Sequence, residues 1–325
     1  MSGMIAIFWK ELADYFSSKR FIILSLLVYV AGVITILLAA QNIRTMAAGG
    51  TSTVFILLFL SAPQQFLQFF LERLSLFVSP FTFLFMLLIP FIGISFGIDS
   101  INSERTSGNL SRLLSQPIYR DAVINGKFLA GLIAMSILIA SIVILVAGMG
   151  LRMIGVPPTA DEILRLFAFM LVSIIYGAFW MSLAVLFSVL FKNTTTSVLI
   201  SVVLWIFFFI FSFFNIGQYI TGLIVPIDQS SSIETLSQFE TTYRLISRAS
   251  PFYLYGEAVQ ILLMPFITTA NIATMLAGSI GTVNPLSLGR SLLIVWPQMT
   301  SLIGLTALCF AISYIKFMRE EIRST

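Results

Sequence analysis

Residues 80–98 read "PFTFLFMLLIPFIGISFGI", residues 99–127 read "DSINSERTSGNLSRLLSQPIYRDAVINGK", and residues 128–151 read "FLAGLIAMSILIASIVILVAGMGL". The two flanking stretches hold no charged residue, while the 29 residues between them hold seven. A helix needs about 20 apolar residues to cross a hydrocarbon core of about 30 Å. A charge at mid-bilayer costs roughly 2.5–3.5 kcal/mol on insertion scales. The pattern predicts two membrane-crossing helices joined by a polar, basic loop.

Four further stretches repeat it without a charge: Phe21–Ala40, Leu166–Phe191, Ser197–Ile216 and Ser291–Ile315. The composition agrees. Apolar residues make up 58% of the 325 residues and charged residues 10%, against roughly 45–50% and about 25% in soluble domains. These values exclude a disordered chain, a disulfide scaffold and an ordinary soluble enzyme. The expected fold class is an all-α polytopic membrane protein of six transmembrane helices. It forms a single domain over 1–325, with a long segment at 217–290 before the last span.

Lys and Arg set the orientation. With a cytoplasmic N-terminus, segments 1–20, 99–127, 192–196 and 316–325 total 64 residues and hold 11 basic residues. The outer segments 41–79, 152–165 and 217–290 total 127 residues and hold the other seven. The excess lies on the side that the positive-inside rule requires, so both termini are expected in the cytoplasm. Thr45–Leu71 and Ala258–Gly289 are apolar but rich in polar or proline interruptions. Crossing by either one alone would put a basic segment outside, so both are read as re-entrant or interfacial. In residues 1–20, Ile5, Phe8, Leu12 and Tyr15 or Phe16 recur at helical spacing. This predicts an amphipathic helix on the inner leaflet rather than a cleaved signal peptide.

Residues that carry chemistry are scarce. There is no histidine, and Cys309 is the only cysteine. No G-x-x-x-x-G-K-[ST] run exists, and no carboxylate pair lies within the six stretches. Asp99 and Glu257 are expected at solvated edges. The basic pI of about 9.3 follows from loop residues, not from a nucleic-acid partner. The most structured polar signal is in 99–127. Thr106 or Ser107 can cap a short helix there, and Leu110, Leu113 and Leu114 form one apolar stripe that Pro117 ends. Such a stripe suits a groove in another protein, or equally the protein's own spans.

The string "SERTSGNLSRLLSQPIYRDAVINGK" resembles the cytoplasmic loop of the ABC-2 type permeases, the membrane subunits of ABC exporters. Glu104, Gly108, Leu110, Leu113, Leu114, Pro117, Gly126 and Lys127 match that family's pattern. Thr106 and Asn109 depart from it. The opening "WKELADYFSSKRF" and the later "SPFYLYGEAV" are similar to the family's corresponding segments.

The resemblance implies that ATP and Mg are used on a separate ABC ATPase subunit, with no cofactor on this chain. Residues 106–115 would be a coupling helix toward that subunit, with Glu104, Gly108, Leu110, Leu113 and Leu114 as its contacts. Residues 1–20 would be a connecting helix. Two such subunits, identical or paralogous, would enclose a pathway in the plasma membrane, surrounded by lipid. The second and fifth spans would face the dimer axis, which makes Gly93, Gly97, Trp205, Phe208 and Phe209 candidates for the axis or the pathway. Lipid contact is the other reading of the rings. An uncharged pathway suits an apolar or amphiphilic cargo. The rival function is a secondary transporter without an ATPase, though such proteins usually carry intramembrane ionisable residues.

Overall fold

A computed structural model describes residues 2–47, 80–98, 102, 119–154, 157–228, 231–263 and 286–319. Every regular element among them is helical. The helices are α1 (Ser2–Ser17), α2 (Lys19–Ala47), α3 (Pro80–Ile98), α4 (Arg120–Ile154) and α5 (Ala160–Leu190). They continue with α6 (Thr194–Phe213), α7 (Ile216–Ile224), α8 (Ile233–Ser247), α9 (Pro251–Leu263) and α10 (Leu288–Arg319).

Five of them, α2, α4, α5, α6 and α10, are long and apolar enough to cross a membrane. The sixth expected stretch forms α3, a shorter apolar helix of 19 residues, about 28 Å long. The helices extend past the uncharged stretches. α4 begins at Arg120, two turns before Phe128, and α5 begins at Ala160, before Leu166.

α5 is the centre of the bundle. Its start follows a proline pair and is set by a capping box. The Thr159 hydroxyl accepts the Glu162 N–H at 3.3 Å, and the Glu162 carboxylate accepts the Thr159 N–H at 2.7 Å. Phe169, Tyr176, Trp180 and Ala184 on it are fully buried. α3, α4, α6, α9 and α10 all pack on this helix.

The contact with α3 is the closest. A Cβ on Gly93 would lie 2.6 Å from the Gly177 carbonyl, and one on Gly97 would lie 2.6 Å from Ala184 Cβ. Between helices that both sit in apolar surroundings, small residues that admit close backbone approach supply the dispersion contact. α10 meets the core along Ser291, Val295, Gln298, Leu302, Cys309, Ser313 and Phe317, a stripe of helical period.

α6 touches the bundle along a narrow line, Ser197, Ser201, Trp205 and Ser212. It breaks at Asn215, which has a left-handed φ of 50°. α7 and α8 then lead into α9, in which every residue except Gln260 is buried. α9 is the one apolar, buried helix among the described residues of the segment 217–290, for which re-entrant or capping helices are expected. Thr45–Leu71 beyond Ala47, and residues 264–285, lie outside the described residues.

Candidate functional site

Charged groups concentrate at the two ends of the bundle. At the end that carries α1, Lys127 of α4 donates to Glu11 of α1 at 2.9 Å. Lys127 is 4% exposed, and Glu11 is buried with it. Lys10 also reaches Glu11, at 3.3 Å, from the surface side. Gly126 allows this approach, since a Cβ there would lie 3.0 Å from Ile7 Cγ2 and 3.2 Å from the Met4 carbonyl. Tyr15 adds a third tie by donating to the Phe96 carbonyl of α3 at 3.1 Å.

Thus "WKEL" and "NGKF", 116 residues apart along the chain, form one buried junction. The face of α1 differs in part from the sequence expectation. Ile7, Glu11 and Leu12 pack inward, while Ile5, Trp9 and Phe16 form a second apolar face that is exposed. The turn into α2 is made by Ser18. Its hydroxyl donates to the Tyr15 carbonyl at 2.7 Å and accepts the Phe21 N–H at 3.2 Å, capping α2.

The loop between α3 and α4 leaves from this same end. Asn102 donates its backbone N–H to Ser188 Oγ at 3.2 Å, and Ser188 Oγ donates to the Ile98 carbonyl at 2.8 Å. Asn102 and the end of α3 are therefore tied to the end of α5. The loop returns past Tyr119, which is 82% exposed, into α4 and the Lys127 junction. Glu104, Gly108, Leu110, Leu113 and Leu114, with Asp99, lie outside the described residues.

At the opposite end two arginines hold α9. Arg165 of α5 is 1% exposed. Its guanidinium pairs with Asp161 and donates to the Leu262 carbonyl at 3.0 Å, to Ser291 Oγ at 3.3 Å and to the Leu286 carbonyl. Leu262 is the penultimate residue of α9. One side chain thus ties α5, α9 and the start of α10.

Arg248 forms two parallel bonds to Glu257, at 2.9 and 2.8 Å, across the α8–α9 corner. The hydrogen bond to Glu257 raises the pKa of Arg248 above its ordinary value. Glu257 is therefore not at a solvated edge, as its sequence setting suggests. It is 4% exposed, because Arg248 folds back over it. Deeper along α9, Tyr255 hydrogen-bonds Ser173 at 2.9 Å and stacks on Tyr176 at 4.3 Å.

The aromatic candidates on α6 meet rings of the same chain. Trp205 packs on Phe91 at 4.4 Å and on Phe209 at 5.6 Å. Phe209 also meets Phe252 of α9 at 5.7 Å, and Phe208 lies 6.4 Å from Trp180. Gly93 and Gly97 face α5. Sequence reasoning did not single out Arg165 or Gln298. The Gln298 side-chain amide is fully buried and has no hydrogen-bond partner among the described residues. The available signal for Arg165 was its place one residue before a span that begins after an acidic first turn.

No cluster of three or more Cys, Asp or Glu able to hold a metal occurs among the described residues. The described buried charged groups fasten helix ends. The chain belongs to the ABC-2 family of transporter proteins, whose family model matches residues 5–322, and it is an ABC-2 type permease. A comparison with curated proteins returns no match.

Proposed function

We propose that this chain is the membrane subunit of an ATP-driven exporter of an apolar or amphiphilic substrate. ATP and Mg are used on a separate ABC ATPase subunit. α3 completes a set of six spans with α2, α4, α5, α6 and α10. The α1 end faces the cytoplasm of a cell whose plasma membrane holds the protein. Two such chains, identical or paralogous, enclose the pathway.

One observation supports this reading above others. The buried Glu11–Lys127 pair joins α1 to α4 close to where the loop 99–127 re-enters the bundle. A push on that loop would move α1 and α4 together rather than deform one helix. Leu110, Leu113 and Leu114 supply the apolar contact to the ATPase, and Glu104 and Gly108 flank it.

Co-purification tests the proposal. Leu113→Asp with Leu114→Asp should release the ABC ATPase subunit while the spans stay inserted. An unchanged ATPase yield with the double variant would overturn the assignment of the loop. Transport by the chain alone in liposomes, with an ion gradient and no ATP, would establish the secondary-transporter reading instead.

A further inference from the structure

α10 is fastened by different forces before and after Pro297. Its start is held by directional bonds. The Arg165 guanidinium donates to Ser291 Oγ at 3.3 Å and to the Leu286 carbonyl just ahead of the helix. From Leu302 onward α10 meets α4 and α5 through apolar side chains. Phe310 packs on Phe128 at 4.4 Å, and Phe317 packs with Ile124, Val185 and Val189. Among the described residues, no hydrogen bond or ion pair links 302–319 to another helix. Apolar contact has no direction, so this part can shift without losing it.

Between the two parts the helix is weakened. Pro297 has no N–H, so the Leu293 carbonyl lacks the helical donor four residues on. The Thr300 hydroxyl reaches the Trp296 and Pro297 carbonyls, each at 3.0 Å, and the Ser301 hydroxyl donates to the Pro297 carbonyl at 2.7 Å. Such side-chain bonds destabilise and bend helices. Thr306 and Ser313 make one each, without a proline beside them.

Next to the proline stands Gln298, fully buried, with neither its amide oxygen nor its amide nitrogen bonded. α5 and α10 run in parallel, as the contacts of Arg165 with Ser291 and of Val189 with Phe317 require. Gln298 lies seven residues past Ser291 and so shares a level with Val172 and Ser173, seven and eight past Arg165. At that level the Ser173 and Tyr255 hydroxyls bond each other at 2.9 Å. Two hydroxyls carry two hydrogens, and that bond uses one. The second hydrogen and the Gln298 carbonyl oxygen are the two halves of an unmade bond.

We propose that α10 pivots at residues 297–301. Its start stays locked to α5 and α9 through Arg165, while the arm 302–319 tilts with α4 through the Phe128–Phe310 contact. The tilt turns Gln298 onto the Ser173–Tyr255 pair and completes the bond. The unsatisfied amide raises the energy of the present arrangement and so keeps the tilted one within reach. The pivot goes beyond the export reading. It rests on these helix contacts and not on ATP coupling, so its failure would leave the permease assignment intact.

Double electron–electron resonance on the full chain in lipid nanodiscs tests the pivot, in a Cys309→Ser background. One label pair, Leu190→Cys with Ile315→Cys, follows the arm. A second, Ile163→Cys with Leu293→Cys, follows the locked start. All four positions are exposed. The arm pair should show two distance populations and the start pair one. Gln298→Leu should shift the arm pair about ten-fold toward the population that matches this structure. That shift corresponds to about 1.4 kcal/mol, within the cost of one unsatisfied buried group. Ser173→Ala with Tyr255→Phe removes both hydroxyls from the other helices. It should act in the same direction and guards against a local defect at the pivot. Pro297→Ala, which restores a donor to Leu293, should narrow the same distribution. A single population for the arm pair would overturn the proposal. So would equal splitting of both pairs, or an arm ratio unchanged by both Gln298→Leu and the hydroxyl variant.

Discussion

Two fastenings at opposite ends of the bundle use different chemistry, although a side-chain pair, Arg248 with Glu257, is also present at the α9 end. At the α1 end, opposite charges on two side chains, Glu11 and Lys127, meet across helices distant in the sequence. At the α9 end, Arg165 donates mainly to backbone carbonyls, and its one carboxylate partner, Asp161, is half exposed. A side-chain pair can be removed as a pair. A backbone carbonyl cannot be removed at all, so the loss of its donor has no compensating substitution. The first fastening suits a joint that transmits movement between two helices as one body. The second fixes the end of a buried helix in place.

The largest effect is expected where one charge of the pair is deleted. Glu11→Met leaves the Lys127 ammonium buried without its carboxylate, and breaking a buried pair in this way costs about 3–5 kcal/mol. Thermal unfolding in detergent should show a large drop in Tm. The double variant Glu11→Met/Lys127→Met should recover most of it, because replacing both charges by apolar groups of similar size is often neutral. Absence of recovery would mean that the two residues do not act as a pair.

Arg165→Met is the matching experiment at the other end. It strands the Leu262 and Leu286 carbonyls, at about 1–3 kcal/mol for each unsatisfied buried group. Adding Asp161→Asn should return nothing, since Asp161 can turn to water. A rescue as complete as at the α1 end would erase the distinction between the two fastenings.

A smaller effect is expected between the ends. Gly97→Ala would place a methyl 2.5 Å from the Met181 carbonyl, which is backbone and can yield only by separating α3 from α5. Overpacking of this kind costs about 1–3 kcal/mol. Gly304→Ala on α10 meets nothing within 4 Å. It should instead stabilise by roughly 0.5–1 kcal/mol through helix propensity. Equal shifts from the two alanines would show that α3 and α5 are not in close contact.

These features differ in how far they could be read from residues alone. The helices α2, α3, α4, α5, α6 and α10 coincide with the uncharged stretches to within about two turns. Hydropathy sums over neighbouring residues and needs no knowledge of the rest of the chain. The amphipathic character of α1 was legible for the same reason. Its inward face was not, because Ile5 and Ile7 are equally apolar and the choice between them depends on distant partners, Gly126 against Ile7, Lys127 with Glu11 and Phe96 with Tyr15. The G-x-x-x-G spacing of Gly93 and Gly97 announced a close helix contact, yet nothing local names the partner. The structure supplies α5 of the same chain. Glu257 read as solvated because it stands in a long polar segment. It is buried because Arg248, nine residues earlier, turns back over it at the α8–α9 corner.

Residue order was enough to specify a helical membrane protein, its apolar segments and the side on which basic residues collect, since each follows from the cost of moving short pieces of chain out of water. Which faces meet was settled only on assembly. All apolar helix surfaces are nearly equivalent to lipid, so the choice among them rests on shape, on close approach at glycine, and on where a few buried charges find partners.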